Sequence, residues 1–370
     1  MSEHVFKTHG GSADKLNDIT VCKFGGSSLA DADGFRRVAK IISSDKKRKV
    51  VIVSAPGKRF PADEKVTDLL FKVSGSLPSR ERHERLYKAF GRFFAIKSRL
   101  FLNIDLKKEL DRIDAEFDRG TEYVVSRGEY LTAKMAAEYL GYEFFDAEKL
   151  FYFDETGAID IEKTRAAFSG LPTDGVVIPG FYGTGPSGTI KLFSRGGSDV
   201  SGSFAAVALK AKTYENHTDV SGVYPIDPAV FKRAKPIKKI GYRQLALLTG
   251  HGAKVVHKGA VPPLINSGVT LKILNTFRAG DAGTTVTDID SRLDFLGVTE
   301  KSLNENSTRL FAVFSKPRGY DDTTARILNK KGAEVVSFGK EGENALFFDV
   351  KKGDETTAAI LIYELFKKKR

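Results

Sequence analysis

The stretch Ile19-Thr20-Val21-Cys22-Lys23-Phe24-Gly25-Gly26-Ser27-Ser28 decides the fold class of this chain. Its first six residues are rich in β-branched and apolar side chains, which predicts a short strand that stops at the two glycines. Apolar side chains then recur at helical spacing from Phe35 to Ile42. The continuous apolar run Val50-Val51-Ile52-Val53 is typical of a strand that is buried on both faces. Strand, helix and strand in this order predict a parallel βαβ unit.

The alternation of strands and helices continues to about residue 290. The further predicted elements are helices within 79–119 and over 129–140, strands near 143–145 and 175–178, and a glycine-rich turn region at 180–188. Such alternation favours a sheet that is mainly parallel, with helices on its faces. We therefore predict a three-layer αβα sandwich over residues 18–290, preceded by a flexible polar leader over residues 1–17.

The pattern changes after about Asp290. Strands are predicted at 309–315, 334–338 and 345–350, and helices at 321–331 and 355–366. This βαββα order differs from the alternation before it, and the connections are short. It predicts a small separate α+β domain over residues 291–370.

Composition and charge exclude several classes of protein. With 41% hydrophobic residues the chain can bury a core, and it contains no apolar run long enough to span a membrane. The net charge of +12 suits anionic partners, but no nucleic-acid-binding motif accompanies it. The first twenty residues lack the apolar segment of a signal peptide, and the single cysteine, Cys22, excludes an internal disulfide. We expect a cytoplasmic protein that binds neither nucleic acid nor membrane.

The turn from Lys23 to Ser28 is the first candidate site. Ligands of open α/β sheets bind beyond the carboxyl ends of the strands. Two glycines allow a close approach of the backbone, and the start of the following helix presents free N–H groups to an anion. The motif is not a P-loop, and by spacing alone an ordinary tight βα turn is an equally good interpretation.

A second glycine-rich string, Arg195-Gly196-Gly197-Ser198-Asp199, opens an apolar helix from Val200 to Leu209. It predicts a second anion-binding helix end, and the arginine can pair with a carboxylate. Asp199 is also a candidate helix cap. The loop segments 218–224 and 252–255 carry an acid, a base and an aromatic, and alone they are weak signals.

Metal and nucleophile chemistry find no support in the sequence. The six histidines show no paired spacing of metal ligands, and no Gly-x-Ser-x-Gly elbow or cysteine–histidine pairing occurs. No metal site made by the protein alone is predicted. Mg²⁺ would instead be held through phosphate oxygens.

Taken in order, these strings resemble the amino-acid kinase superfamily and, within it, the aspartate kinases. The matching segments are Lys23 to Ser28, Val53 to Arg59 with Lys65 to Leu70, Ser126 to Glu129, Phe193 to Asp199, Thr218 to Tyr224, and Gly252 to His257. They extend over residues 18 to about 290. The resemblance implies transfer of the γ-phosphoryl group of ATP, with Mg²⁺, to the side-chain carboxylate of L-aspartate, the first step of the biosynthetic branch to lysine, threonine and methionine.

The resemblance also implies a role for each matching position. The catalytic residues would be Lys23, at the transferring phosphoryl group, and Asp199, which would orient the catalytic lysines or stabilise the transition state. The implied aspartate-binding residues are Ser54, Thr67, Glu129, Arg195 and Ser198. The implied nucleotide-binding residues are Lys23, Phe24, Gly25, Gly26, Ser28, Thr218, Asp219, Tyr224, Lys254 and Val255.

The sequence departs from the family in three places. Ala229 stands where the family often has an arginine, and Lys258 stands where a proline is common. The family usually carries two ACT modules in tandem, whereas one ACT-like βαββα block fits here. This difference puts feedback by lysine or threonine in question, and it leaves a homodimer or a higher homo-oligomer formed through the C-terminal domain as the expected assembly.

Two alternatives stay open beside an active aspartate kinase. A superfamily kinase for another carboxylate would show an altered substrate half-site, yet Thr67, Glu129, Arg195 and Ser198 are present. Loss of Lys23 or Asp199 would favour a catalytically weak amino-acid sensor, and both residues are retained.

Overall fold

The computed structural model of this chain describes residues 17–74, 79–172, 174–194, 196–319 and 322–367. The leader predicted for residues 1–17 thus lies outside the described residues, except for Asn17. The predicted substrate-binding Arg195 also lies outside them.

The strands and helices of the described residues are numbered in chain order. The strands are β1 (Asn17–Phe24), β2 (Arg48–Val53), β3 (Glu143–Phe144), β4 (Val176–Pro179), β5 (Tyr182–Thr184), β6 (Ile190–Leu192), β7 (Ala211–Thr218), β8 (Lys239–Gly241), β9 (Thr270–Asn275), β10 (Thr284–Thr287), β11 (Phe295–Ser302), β12 (Ser307–Phe314), β13 (Val335–Glu341) and β14 (Ala345–Lys351). The helices are α1 (Ala32–Ser43), α2 (Val66–Val73), α3 (Ser79–Leu100), α4 (Leu106–Ala115), α5 (Thr121–Leu140), α6 (Ile161–Ser169), α7 (Gly197–Ala208), α8 (Tyr242–Gly250), α9 (Thr323–Lys330) and α10 (Glu355–Phe366).

The large sheet has eight strands in the order β3-β4-β2-β1-β7-β9-β10-β8. Neighbouring strands are parallel except β9 and β10, which are antiparallel. The predicted α/β class with a mainly parallel sheet is therefore confirmed. The two inner strands β1 and β7 align Lys23 with Asn216, so both side chains reach the carboxyl edge of the sheet at the same level.

Both faces of the sheet centre are covered. The side chains of Val50 to Val53 in β2 have no solvent exposure, as the continuous apolar run predicted. Helix α7 packs on β1 and β7, and α1 and α5 pack on β2. Cys22 of β1 is a buried free thiol, and burial, followed by the nearby Glu215 carboxylate, raises its pKa well above the ordinary value.

The glycine-rich region at 180–188 contains more regular structure than predicted. Strands β5 and β6 form an antiparallel hairpin there, with Tyr182 opposite Leu192. The tight turn between them has Gly188 at φ +77°, a left-handed conformation that favours glycine.

The C-terminal segment forms a four-stranded antiparallel sheet in the order β11-β12-β14-β13. The predicted strands and helices of the βαββα block are present, and β11 adds a strand before them, along the edge of β12. The sequence analysis missed β11 because its residues do not alternate: Phe295 to Val298 are buried, and the rest of the strand becomes exposed. The segment is thus a ββαββα unit.

The hydrophobic core under the small sheet also includes residues that precede residue 290. Ile226, which lies before β8 in the chain, is part of the same buried apolar cluster as Phe295, Leu310 and Ile362. Val230, Phe231 and Ala234 pack against that cluster. The boundary drawn at residue 290 stays a prediction, and the segment 226–234 ties the two regions together.

Among the helices of the described segments, none combines the length and the apolar character needed to cross a membrane.

Candidate active site

A buried ion pair joins the two glycine-rich strings at the carboxyl edge of the sheet. Lys23 ends β1 and Asp199 lies in the first turn of α7, and the Lys23 Nζ is 2.7 Å from the Asp199 Oδ1. The side chains are 9% and 14% exposed, so the pair is largely shielded from water. In such surroundings a fixed cation attracts an incoming anion more strongly than it would in water.

Both carboxylate oxygens of Asp199 accept hydrogen bonds. Its Oδ1 also accepts from the Asn216 Nδ2 at 3.1 Å, and its Oδ2 accepts from the His257 backbone N–H at 2.8 Å. Burial alone would raise the pKa of Asp199, but the Lys23 charge and these hydrogen bonds outweigh burial and lower it. The carboxylate is therefore ionised and fixed, which in turn fixes Lys23.

The start of α7 is open to a ligand. Gly196 adopts the left-handed conformation with φ +83°, and no side chain caps the helix. Gly196, Gly197 and Ser198 all line a cavity in front of it. An uncapped helix start carries unsatisfied N–H groups and a partial positive charge, so it suits an anion.

The turn after β1 is built from two glycines in contact. The Gly57 N–H donates to the Gly26 carbonyl at 2.8 Å, and a Cβ on Gly26 would lie 2.7 Å from the Ala55 carbonyl oxygen. This is below any ordinary contact between a side chain and backbone. Glycine at position 26 thus allows the loops after β1 and β2 to close against each other beside Lys23.

For the phosphoryl transfer that the family resemblance implies, we expect Gly26→Ala to lower kcat/KM by roughly tenfold or more, since the turn must shift away from the Ala55 carbonyl. Gly91→Ala is the matched control, because a Cβ at Gly91 in α3 meets nothing within 4 Å. Steady-state kinetics of both variants checks this. Equal kinetics for Gly26→Ala and Gly91→Ala would contradict the role assigned to the turn.

Ten of the predicted site residues line one open cavity, of about 1340 Å³ with the solvent space at its mouth. They are Lys23, Gly25, Gly26, Ser54, Thr67, Glu129, Ser198, Asp199, Thr218 and Asp219. The elements that contribute are far apart in the chain, and the parallel sheet brings their ends together at one edge. The roles assigned to these residues stay predictions, and the cavity supports a common site for them.

Glu129 is an unsatisfied acid at the inner wall of this cavity. It lies in α5, is 4% exposed, and its Oε2 has no hydrogen-bond partner among the described residues. Burial raises its pKa to about 8, against the opposing effect of hydrogen bonds from backbone N–H groups such as that of Ala55. A buried carboxyl oxygen without a hydrogen-bond partner is costly, so the Oε2 suits a ligand that brings a cationic donor.

A second cavity, of about 900 Å³, adjoins the first at Asp219, which lines both. It contains the predicted nucleotide-binding residues Tyr224, Lys254 and Val255. Its lining is largely apolar, as a heterocyclic base requires. The two cavities together form one cleft with a polar and an apolar end.

One wall of the apolar end comes from the C-terminal segment, which the sequence analysis missed. Residues Val298, Thr299, Glu300, Leu310 and Ala359 line the cavity. The Thr299 Oγ1 donates to the His251 carbonyl at 2.5 Å, and the Glu300 carboxylate is 3.7 Å from the Lys254 Nζ. No local sequence signal indicates this wall, because it depends on how β11 packs on the loop after α8.

Two predicted nucleotide-binding residues lie beneath the cleft instead of in its lining. Phe24 and Ser28 are fully buried. The Phe24 ring stacks on His217, and the Ser28 Oγ is 2.7 Å from the Thr276 Oγ1. Both support the glycine turn from behind.

Two lysines and an asparagine join the site without having been predicted. Lys58 and Lys65 line the polar cavity, and Asn216 donates to Asp199. The lysines lie within the strings that carry the family resemblance, so proximity to those strings was the available signal. Asn216 required the register of β1 against β7.

One group of described residues has the spacing of metal ligands, namely Cys22, Glu215 and His217, all buried. The Arg48 Nε donates to the Glu215 Oε2 at 2.8 Å, so a cation already occupies that carboxylate. These residues lie outside the lining of the cleft. The group is best explained as a buried hydrogen-bonded cluster.

Comparison with known proteins agrees with this geometry. The model of the amino acid kinase family matches residues 18–275. The chain is 34% identical over 287 residues to aspartokinase 3 of Bacillus subtilis, covering 72% of this chain and 63% of the relative. It is 31% identical over 279 residues to the lysine-sensitive aspartokinase 3 of Escherichia coli, covering 69% and 61%.

Solved structures show the same architecture. The aspartate kinase of Clostridium acetobutylicum superposes with a TM-score of 0.78 and 28% identity, over 95% of this chain and 100% of that one. Aspartokinase III of Escherichia coli, in complex with aspartate and ADP, superposes with a TM-score of 0.70 and 26% identity, over 94% and 83%.

The chain spans a little over three-fifths of the length of the two aspartokinases it matches in sequence, at 63% and 61%. The family match nevertheless covers the whole region that builds the ion pair, the glycine turn and the polar cavity. This chain belongs to the amino acid kinase family.

Proposed function

We propose that this protein is an aspartate kinase, which transfers the γ-phosphoryl group of ATP to the side-chain carboxylate of L-aspartate. The observation that carries the proposal is the buried pair of Lys23 and Asp199 in a cavity that Glu129 also lines, with its Oε2 free of hydrogen-bond partners among the described residues. The similar Escherichia coli enzyme, in complex with aspartate and ADP, supports both substrates.

The chemistry needs charge control more than proton transfer. The side-chain carboxyl of aspartate has a pKa of about 3.9, so the nucleophile is ionised at neutral pH without a general base. The obstacle is the approach of one anion to another, and phosphoryl transfer is catalysed mainly by positioning and by neutralising charge. Lys23, fixed by Asp199, supplies a cation where the two anions meet.

The substrate aspartate fits the polar cavity in one orientation. Its α-ammonium would pair with Glu129, which satisfies the free Oε2. Its reacting carboxylate would then point toward Lys23 and the uncapped start of α7. Thr67, Ser54 and Ser198 line the space between and can donate hydroxyl hydrogen bonds.

The nucleotide would lie across both cavities. Its phosphates would face Gly25, Gly26 and Thr218, and its base would enter the apolar cavity beside Tyr224 and Val255. Mg²⁺ would neutralise the phosphates. The residues fit an ion held mainly by phosphate oxygens, since Asp199 already accepts from three donors. Asp219, at the junction of the two cavities, is an acid that could approach such an ion.

Assembly and location remain predictions. An association through the C-terminal segment is compatible with β13, an edge strand of the small sheet on which Val336 is 65% exposed. Unpaired edge strands are common sites of pairing with another chain. The molar mass of the purified protein, measured by light scattering, tests whether it forms a homodimer or a higher homo-oligomer.

We expect KM for L-aspartate to fall by roughly tenfold as the pH rises from about 6.5 to about 8.5. The raised pKa of Glu129, about 8, means that the free protein holds a proton on this carboxyl at lower pH. Binding of the substrate ammonium requires the ionised form, so the proton must leave first. Above pH 9 the substrate ammonium itself begins to titrate, and affinity declines again.

The control for this pH profile is Glu129→Gln, which keeps the shape of the side chain and removes its titration. We expect a raised KM for aspartate that no longer changes over the same pH interval. A wild-type KM independent of pH, or an unchanged profile in Glu129→Gln, would contradict the ammonium-binding role.

Trapping of the acyl phosphate as a hydroxamate tests the proposed function. Purified protein with ATP and Mg²⁺ is given L-aspartate, L-glutamate or N-acetyl-L-glutamate, each with and without lysine and threonine. We expect an acyl phosphate to form with L-aspartate and not with L-glutamate or N-acetyl-L-glutamate. Product with another carboxylate would make the protein a different kinase of the family, and ATP binding without any product would favour the sensor.

A further inference from the structure

A third cavity, of about 860 Å³ with its open mouth, lies between α1 and the loop formed by residues 276–281 after β9. Its lining shares no residue with the two cavities of the candidate active site. Ile41, Leu274, Phe277 and Ala279 provide apolar walls, and the other lining residues are polar or charged. The proposed reaction leaves this cavity without a role.

His217 is one of the residues that line the cavity, and one of its ring nitrogens is buried without a hydrogen-bond partner among the described residues. The residue is 3% exposed, and its Nδ1 has no hydrogen-bond partner among the described residues. Its Nε2 is 3.0 Å from the Glu215 Oε2. Burial lowers the pKa of His217, so the ring is neutral. Glu215, paired with Arg48, can only accept, so Nε2 carries the proton and Nδ1 offers a bare lone pair.

Two cations of α1 stand at the same cavity without an acid partner. Arg37 and Lys40 both line it, and neither has an ion pair within the described residues. The Arg37 guanidinium lies 4.7 Å from the centre of the Phe277 ring, which holds it at the rim. Arg48 is different, because its donors are used by Glu215, the Ile41 carbonyl and the Ser44 hydroxyl.

One acid completes the set. Asp281 lines the cavity from the loop, and its Oδ2 accepts from the Ser221 hydroxyl. The cavity therefore presents two cations, one carboxylate and one buried acceptor nitrogen. A phosphate dianion would satisfy the cations and be repelled by Asp281. A carboxylate with a neighbouring ammonium group satisfies all four groups, and one with a neighbouring hydroxyl group satisfies the two cations and the His217 nitrogen.

We propose that this cavity is a second ligand site, which takes a small carboxylate bearing a neighbouring ammonium or hydroxyl group, such as an α-amino acid or a 2-hydroxy acid. The carboxylate pairs with Arg37 and Lys40. The neighbouring N–H or O–H donates to the His217 Nδ1, with Asp281 beside it.

Hydrogen bonds connect this cavity to the proposed nucleotide-binding end of the cleft. The Thr276 Oγ1 in the loop is 2.7 Å from the Ser28 Oγ, directly under the glycine turn. The Asn275 Nδ2 donates to the Asp219 carbonyl at 3.2 Å and to the Ser221 Oγ at 3.0 Å. A ligand that fixes the loop therefore fixes Asp219 as well, and it should change the affinity for ATP.

Calorimetric titration of the full chain tests binding, with the common L-α-amino acids, L-malate, L-lactate and inorganic phosphate as probes. We expect at least one carboxylate probe to bind and the double variant Arg37→Met/Lys40→Met to raise its Kd by about tenfold or more. Arg36→Met is the matched control, because Arg36 lies on the same helix, pairs with Asp33 and does not line the cavity. Binding of phosphate alone, no binding, or binding unchanged in the double variant overturns the proposal.

A kinetic arm tests the coupling and rests on the proposed function. The bound probe should change KM for ATP by about threefold or more in the wild type and not in the double variant. An unchanged KM with the probe bound overturns the coupling. A protein that binds the probe but makes no acyl phosphate would refute the proposed function and leave the second site standing.

Discussion

Replacement of Lys23 by alanine is expected to lower kcat by about 10³-fold while KM for L-aspartate changes by no more than about threefold. In the proposed reaction Lys23, held by Asp199, would neutralise charge where the phosphoryl group and the carboxylate meet, whereas the substrate ammonium would bind at the free Oε2 of Glu129. The loss should therefore fall on the transition state and leave ground-state binding almost unaffected.

The control for this variant is Lys47→Ala, which removes a lysine whose ion pair with Asp18 is exposed. Thermal unfolding of Lys23→Ala should confirm a folded protein, because Asp199 keeps its hydrogen bonds from Asn216 and the His257 N–H. Turnover of folded Lys23→Ala at the wild-type rate would refute the assignment of Lys23.

Removal of residues 291–370 is expected to weaken ATP binding by about a hundredfold or more. The deleted segment supplies one wall of the apolar cavity, including Val298 and Leu310. It also provides the core in which Ile226 is buried and against which Phe231 packs. Both residues follow Tyr224 closely in the chain, and Tyr224 lines the apolar cavity. Loss of that core should release the nucleotide-binding segment, which filter binding of labelled ATP would show.

A point variant separates this effect from general unfolding. Val298→Phe puts a larger side chain into the wall of the apolar cavity, and we expect KM for ATP to rise by roughly tenfold with KM for aspartate unchanged. Ile289→Phe puts the same aromatic ring at a position that is 81% exposed and lines neither cavity of the cleft, and it should be neutral. Unchanged KM for ATP in both variants would contradict a shared nucleotide pocket.

Local sequence pattern predicted the centre of the fold because each segment there is compatible with one kind of secondary structure. The apolar run at Val50 to Val53 and the glycines after Phe24 leave little choice but a buried parallel strand and a tight βα turn. Lys23 and Asp199 were predicted from separate strings that resemble one family. Their contact at 2.7 Å follows from the order of the strands, which brings β1 beneath α7.

Features that depend on long-range packing were beyond such patterns. Asn216 reaches Asp199 through the register of β7 on β1, and nothing in its neighbourhood in the sequence marks it. Strand β11 was missed because only half of it is buried. The free Nδ1 of His217 and the free Oε2 of Glu129 are visible only once burial and partners are known.

The most direct test of the central claim is the identity of the carboxyl group that receives the phosphoryl group. Purified protein is incubated with L-aspartate and MgATP, the acyl phosphate is reduced with borohydride, and the resulting amino alcohol is identified by mass spectrometry and chromatography. The orientation set by Glu129 and Lys23 predicts homoserine, the product of phosphorylation at the side chain. Isohomoserine, or no ATP-dependent amino alcohol at all, would contradict it.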